Sequence, residues 1–306
     1  MPNEHSTLSP EKEIKLYEIF IAVDDFCRQL DSWKQSQPER FPPRGWDKPL
    51  MSESELMSIC IFYHYSGYKC FQYYYQDMVQ RTLKSYFPRQ ISYERFLVSL
   101  LKVLPGLYVF LKYLTLQSQQ TGLYFIDSKQ LAVCHNRRIH SHRVFEGIAT
   151  RGKSSTGWFF GFKLHLVVNN LGEVVNFLLT PGNVADNNHA VLHTLLDGLK
   201  GECYGDKGYI TRLFEYFYGQ GLQIVTKLKS KMKAQLMPLA QRLRLKKRAV
   251  IESVNDILTS VLDVEHTRHR NPFNALVHIF SGLIAYCFYD TKPAVFVSNN
   301  QQLMIA

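Results

Sequence analysis

The chain has 306 residues, 46% of them hydrophobic, enough for one large domain or two ordinary ones and too rich a core to need disulfide staples. Its 36 Lys and Arg against 26 Asp and Glu leave a net charge of +10, a balance that favours a polyanionic partner, nucleic acid first. The six scattered cysteines, Cys27, Cys60, Cys70, Cys134, Cys203 and Cys287, show no CxxC and no Cys-His spacing, which argues against a zinc module and for reduced intracellular thiols.

The opening residues MPNEHSTLSPEKEIK are polar and lack the apolar stretch and cleavage site of a signal peptide, so a cytoplasmic protein is expected. Ile14, Leu16, Ile19, Phe20, Val23, Phe26, Cys27 and Leu30 recur at mostly three- and four-residue intervals and predict an amphipathic helix over 11–35. Four prolines and a glycine in 36–49 deny helical hydrogen bonds and predict a linker or ordered loop. Ser52 followed by Glu55 is a capping-box pattern, and the helix it starts is expected to continue through the Tyr/Phe-rich run to Met78. Within that run FQYYYQDM (71–78) reads as core, the alternative being stacking surfaces for unpaired bases. Further helices are predicted between 91 and 116, broken in two at Pro105 and Gly106. Residues 1–118 thus form an all-helical N-terminal domain.

From Gly122 the pattern changes. LYFIDSKQLAV, WFFGFKLHLVVN and EVVNFLLT are short β-rich runs divided by turn residues, and the NLG between the second and third predicts an antiparallel hairpin. A helix over 186–199, a strand at CYGD, a helix near 212–219, a strand at QIVTKLK and a long helix over 247–262 follow. The apolar segment Pro272 to Tyr289 is short for a bilayer and reads as a buried helix. Three strands, helix, strand, helix, strand, helix is the order of an RNase H-like α/β layer: a mixed five-stranded sheet flanked by helices, here over 119–292, with 293–306 as a tail.

Asp127 lies in the first strand after the apolar LYFI, Asp206 just after the fourth strand, and Glu252 in the helix after the fifth. In such a sheet, neighbouring strand ends point into one crevice, and a helix across that edge can add a third ligand. Three carboxylates brought together repel unless a cation neutralises them, and oxygen-only sites favour Mg²⁺ or Mn²⁺. Each has a plainer reading: a strand-end residue for Asp127, a glycine-rich turn for Asp206, and a surface pair with Arg248 for Glu252, for which Asp256 is a competitor one turn on. Asp186 is expected to cap a helix.

The runs YFIDSKQL (124–131), WFFGFKLHLVVNNLGE (158–173), LLTPGNVADN (178–187), YGDKGY (204–209) and RAVIES (248–253) resemble, in order, the motif series of bacterial insertion-sequence DDE transposases. The similarity spans about 120–290 and is greatest to the insertion-sequence group numbered nine-eight-two, whose N-terminal part the helical region also resembles. The resemblance implies an RNase H-like catalytic domain, two Mg²⁺ (or Mn²⁺) ions, and Asp127, Asp206 and Glu252 as catalytic and metal-binding residues. Asp127 would bridge ions about 3.5–4 Å apart, with Asp206 and Glu252 each completing one shell. It also implies cleavage at element ends, strand transfer of the 3′-OH, terminal inverted repeats and target DNA as partners, and a homodimer or higher oligomer on DNA in the bacterial nucleoid. The helical domain would bind DNA ends or pair subunits. Where relatives carry a Tyr ahead of the Arg and a Lys or Arg after the Glu, this chain has Leu245 and Thr259. A structure-selective RNase H-like nuclease and a domesticated non-catalytic DNA-binding protein are the alternatives.

No acidic residue separates Glu215 from Glu252, whereas Lys227, Lys229, Lys231, Lys233, Arg242, Arg244, Lys246, Lys247 and Arg248 are basic, which predicts a phosphate-binding stretch leading into the Glu252 helix. Arg137, Arg138, Arg143, Arg151 and Lys153 form a second basic cluster, in the connection after the first strand. Lys163 and His165 alternate within a strand and so share one face; with Lys207 of the YGDKGY run they complete the expected DNA contacts, a solvated strand face being the plainer reading of the pair.

Overall fold

A computed structural model describes residues 8–42, 49–154, 157–227, 237–265, 269–297 and 303–305. The helices are α1 (Pro10–Gln35), α2 (Glu53–Ser66), α3 (Phe71–Tyr73, running into a π-helical stretch Tyr74–Thr82), α4 (Tyr93–Leu116), α5 (His189–Leu196), α6 (Phe214–Gly219), α7 (Leu239–Lys246), α8 (Ala249–Asp256, followed by π-helical Ile257–Val261) and α9 (Pro272–Cys287). The strands are β1 (Leu123–Cys134), β2 (Thr150–Ser154), β3 (Gly157–Asn169), β4 (Val174–Pro181), β5 (Gly201–Gly205), β6 (Leu222–Thr226), β7 (Val295–Val297) and β8 (Leu303–Ile305). By packing, the chain divides into a helical unit, residues 1–111 and 261–288, and an α/β unit, residues 112–260 and 289–306. The segment carrying α9, grouped with 119–292 in the sequence reading, belongs to the helical unit, where α9 packs on α2.

In the helical unit, Ser52 and Glu55 close the predicted capping box at the start of α2. The helix does not run on to Met78: Gly67, at φ 87°, ends it in the left-handed conformation that a side chain would disfavour. Tyr74 and Tyr75 are fully buried, so the aromatic run does supply core. Pro105 does not break α4, which is continuous over 24 residues. Its Phe96, Leu100, Val103, Leu107 and Phe110 form one buried stripe whose packing offsets the roughly 3 kcal/mol that an interior proline costs. Gly106 does not break the helix either; a Cβ there would meet only the movable ends of the Glu53 and Met57 side chains on α2. By length and composition alone α4, with mean hydropathy 1.6, is also long and apolar enough to cross a membrane, a test that core helices pass too.

In the α/β unit, β4-β3-β1-β5-β6 form the sheet, with β3 antiparallel to both β1 and β4 and with β5 and β6 parallel to β1. This is the strand order of the RNase H-like layer, with one addition. The segment with Arg151 and Lys153, expected to be a connection, forms β2, which pairs with the first part of β3 and makes the sheet six-stranded. Gly172, at φ 75°, turns the NLG hairpin between β3 and β4. Tyr124, Ile126 and Cys203 point to the face covered by Val191, Leu192, Leu195 and Leu196 of α5 and Phe217 of α6. Phe125 and Tyr204 therefore occupy the opposite face, on which α7 and α8 pack.

Candidate active site

The first four residues of β1 are buried and the next four are only half-buried, so the strand leaves the core at Asp127. Phe125 is aligned with Tyr204 in the parallel β1–β5 ladder, and Asp127 and Asp206 each lie two residues further on, so both belong to the face under α7 and α8. Asp206 caps the short turn Lys207–Tyr209, its Oδ1 accepting the Gly208 N–H at 2.7 Å.

Val250, Ile251 and Val254 of α8, with Leu258 of the π-helical stretch after it, supply the apolar stripe, and Asn255 sits in the same stripe, 5% exposed. Asn255 Nδ2 donates to Asp127 Oδ2 at 3.2 Å, and its buried Oδ1 has no partner. Arg248 reaches both acids: Nη2 donates to Glu252 Oε1 at 2.6 Å, and Nη1 stands 3.9 Å from Asp127 Oδ1. Burial pushes the Asp127 carboxyl up to about 6, Arg248 pulls it down, and Asp206 and Glu252 push it up again. The acids predicted as a set therefore share one electrostatic neighbourhood. Asp256, the competitor to Glu252, is exposed and takes no part in it.

Asp186 is not a helix cap; Asn188 caps α5, accepting from Ala190 N and Val191 N. Asp186 Oδ1 accepts instead from Ser128 Oγ at 2.8 Å and Lys163 Nζ at 3.0 Å, with His165 Nδ1 4.0 Å away. Asp186 also flanks Asp206, since a Cβ on Gly208 would lie 2.8 Å from Asp206 Oδ1 and 3.5 Å from Asp186 Oδ2. Tyr209 is 1% exposed; burial holds its pKa well above the ordinary value, Asp186, Asp127 and Asp206 act the same way, and a hydrogen-bonding interaction with Ser128 acts against them.

Lys163 and His165 do share a face, but they point inward. Lys163 is 8% exposed and gives its ammonium to Asp186 and to the Val184 carbonyl; His165 is fully buried, meets Thr180 Oγ1 at 3.0 Å, and is driven by burial down to about 4. Arg244 is also occupied, paired with Glu202, which further accepts from Gln241 and Tyr204. Lys207, Lys227, Lys246, Arg137, Arg138, Arg143, Arg151 and Lys153 are exposed, Lys247 half-buried, and Arg151 and Lys153 lie over the exposed Trp158 ring at 4.9 and 5.6 Å. Lys229, Lys231 and Lys233 lie outside the described residues.

The donor set is oxygen-only, and Asp206 and Glu252 both act on Asp127, which fits a hard divalent cation in its chemistry. The side chains are not converged on one point: among the described residues no three acids, histidines or cysteines stand as a metal-binding group, and the Arg248 guanidinium lies where positive charge is needed. Ser128, Asp186, Tyr209 and Asn255 were missed as site residues by the sequence reading. Asn255 carried a signal, being a polar residue four positions after Ile251 on an apolar stripe; Asp186 lies in the LLTPGNVADN run but was set aside as a helix cap rather than a metal ligand, because its partners on β1 and β3 are remote in sequence.

No curated protein and no solved structure matches the chain. Residues 117–272, just over half its length, match the family described as the transposase DDE domain, and they contain Asp127, Asp206, Glu252 and the sheet that brings them together. The chain belongs to the DDE transposase family.

Proposed function

We propose that this transposase cuts DNA at the ends of an insertion sequence and joins the freed 3′-OH to target DNA, with Asp127, Asp206 and Glu252 as ligands of two Mg²⁺ or Mn²⁺ ions. The observation that carries the reading is the shared field of these carboxylates, with Arg248 set between Asp127 and Glu252. When bound, the ions would activate the attacking oxygen and neutralise charge on the leaving one. The protein's own contribution is placement. The Asn255 amide fixes one Asp127 oxygen, the Gly208 N–H fixes one Asp206 oxygen, and Arg248 offsets the repulsion between Asp127 and Glu252. Lys163 and Ser128 hold Asp186 at the edge of the group. The exposed Lys207, Lys227 and Lys246 would meet DNA phosphates from one side and Arg137, Arg138, Arg143, Arg151 and Lys153 from another.

Element ends have to be brought together, so at least two copies are expected to act on DNA, with the helical unit recognising ends or pairing subunits. The five ordered motifs support placement in the nine-eight-two group. The test is incubation of purified protein with Mg²⁺ and labelled DNA carrying the flanking repeats, reading both cutting and strand transfer. Asp127→Ala, Asp206→Ala and Glu252→Ala should each abolish both, and Asp256→Ala neither. Unchanged cutting by Asp127→Ala rejects the site; cutting without any joining makes the protein a nuclease instead.

A further inference from the structure

Apart from the acids, the helical unit contains a cavity of about 480 Å³, within the range of roughly 300–1,000 Å³ typical of small-ligand sites. Phe71, Tyr93 and His269 are among its walls, and the Phe71 and His269 ring centroids stand 5.7 Å apart. Lys69, which pairs with Asp263 at 3.4 Å, and the exposed Arg270 also line it, and none of the described lining residues is acidic. Asn274, 7% exposed, contributes an amide whose buried Oδ1 has no partner, a cost of the kind that folded proteins seldom leave without use.

The histidines nearby do not make this a metal site. His64 Nδ1 is engaged with the Leu262 carbonyl and His278 Nε2 with that of Asp263, and no metal-binding group occurs among the described residues. What the cavity offers is aromatic surface, an amide with one acceptor and two donor hydrogens, and positive charge. Those are the features that hold a nucleotide: rings stack on a base, an amide pairs with a base edge, and cations meet the phosphate.

We infer that the cavity lined by Phe71, Tyr93, His269, Asn274, Lys69 and Arg270 binds one unpaired nucleotide of a DNA strand. This rests on the reading of the chain as a DNA-processing enzyme but uses none of its acids. A base placed there would be held out of the stack by the helical unit, giving that unit a means of recognising unpaired or distorted DNA without reading a groove.

The test compares binding of three duplexes: one with a single extrahelical 2-aminopurine nucleotide, one with the same base paired, and one with an abasic nucleotide at the bulge. The unpaired base should bind about tenfold more tightly than either control, with its fluorescence quenched on binding, since stacking on an aromatic wall is of that order. Arg270→Ala and Lys69→Ala, both at exposed positions, should weaken binding of the bulged duplex, and Phe71→Leu, checked for native circular dichroism, should lose both the preference and the quenching. Free deoxyadenosine monophosphate should compete only weakly; competition equal to that of the bulged duplex would overturn the DNA-strand assignment. Equal affinity for the three duplexes, or bulge affinity and preference untouched in Arg270→Ala and Phe71→Leu together, would overturn the pocket. Cutting of element ends, measured on the same preparation, separates the two readings: normal cutting with no preference sinks the pocket alone, and absence of all DNA binding sinks both.

Discussion

Arg248 is the residue on which the acid group balances. Asp127 is mostly buried, with a side chain 23% exposed, and it faces two other carboxylates, so the guanidinium is the charge that makes its ionised form tolerable. Removing one partner of a largely desolvated pair costs more than the pair is worth, because the remaining charge is left uncompensated. Arg248→Ala should therefore destabilise the protein in EDTA by about 1–3 kcal/mol, and Mg²⁺ should restore much of the loss. A melting-temperature deficit equal with and without Mg²⁺ would show that no cation competes for the place Arg248 serves. Asp186 behaves differently, since its loss strands the buried Lys163 ammonium. Asp186→Ala should lower the unfolding midpoint whether Mg²⁺ is present or not, and a stability unchanged in urea titration would mean that Lys163 finds another acceptor.

At the scale of elements, the site depends on how closely β1 and β3 cross. Gly161 pairs with Ala132 just before the register shift, at φ 159°, and a Cβ there would fall 2.0 Å from the Leu131 carbonyl oxygen. Backbone cannot yield as a flexible side chain can, so Gly161→Ala should cost about 1–3 kcal/mol or more and loosen the strand that carries Asp127. Hydrogen exchange in β1 and β3 would register it; native protection would refute the close approach. The same two strands show why some of the structure was legible beforehand and some was not. Alternating apolar runs and the NLG turn reported β1, β3 and β4 directly, because strand period and turn chemistry are local properties of the chain. Asp127, Asp206 and Glu252 were named through ordered motifs, and the parallel β1–β5 register then sets Asp127 and Asp206 each two residues past the aligned pair Phe125 and Tyr204. β2 was invisible, since TRGKS has no apolar alternation and is a strand only because β3 offers it an edge. The unbroken α4 was misjudged for a related reason: local proline chemistry favoured a break, and the buried stripe from Phe96 to Phe110 outweighed it.

Over the whole molecule, the buried histidines and Asp127 pull stability in opposite directions as pH falls. Burial lowers His64 and His269 of the helical unit to about 4 from a model-peptide value of 6.5, so their neutral forms belong to the folded state. An unfolded chain takes up those protons first, and the stability that the neutral rings represent is present above about pH 6.5 and drains away as pH falls toward 4. For His64, 7% exposed, the full shift corresponds to about 3 kcal/mol. Asp127 has the reverse sign: raised from 3.8 to about 6, it penalises the folded state as pH rises through that interval and relieves it as pH falls. Three buried histidines, His165 of the α/β unit with His64 and His269, against one acid leave acid destabilisation as the net expectation between pH 6.5 and 4. Urea unfolding followed in EDTA at pH 7, 5.5 and 4.5 should show a declining midpoint. Asp127→Asn should steepen the decline, because the compensating acid is gone, while His64→Gln should make it shallower even though the variant is less stable at pH 7. If Asp127→Asn instead flattened the profile, the carboxyl would have to be ionised well below pH 6 in the folded protein, and burial would not be the dominant influence on it.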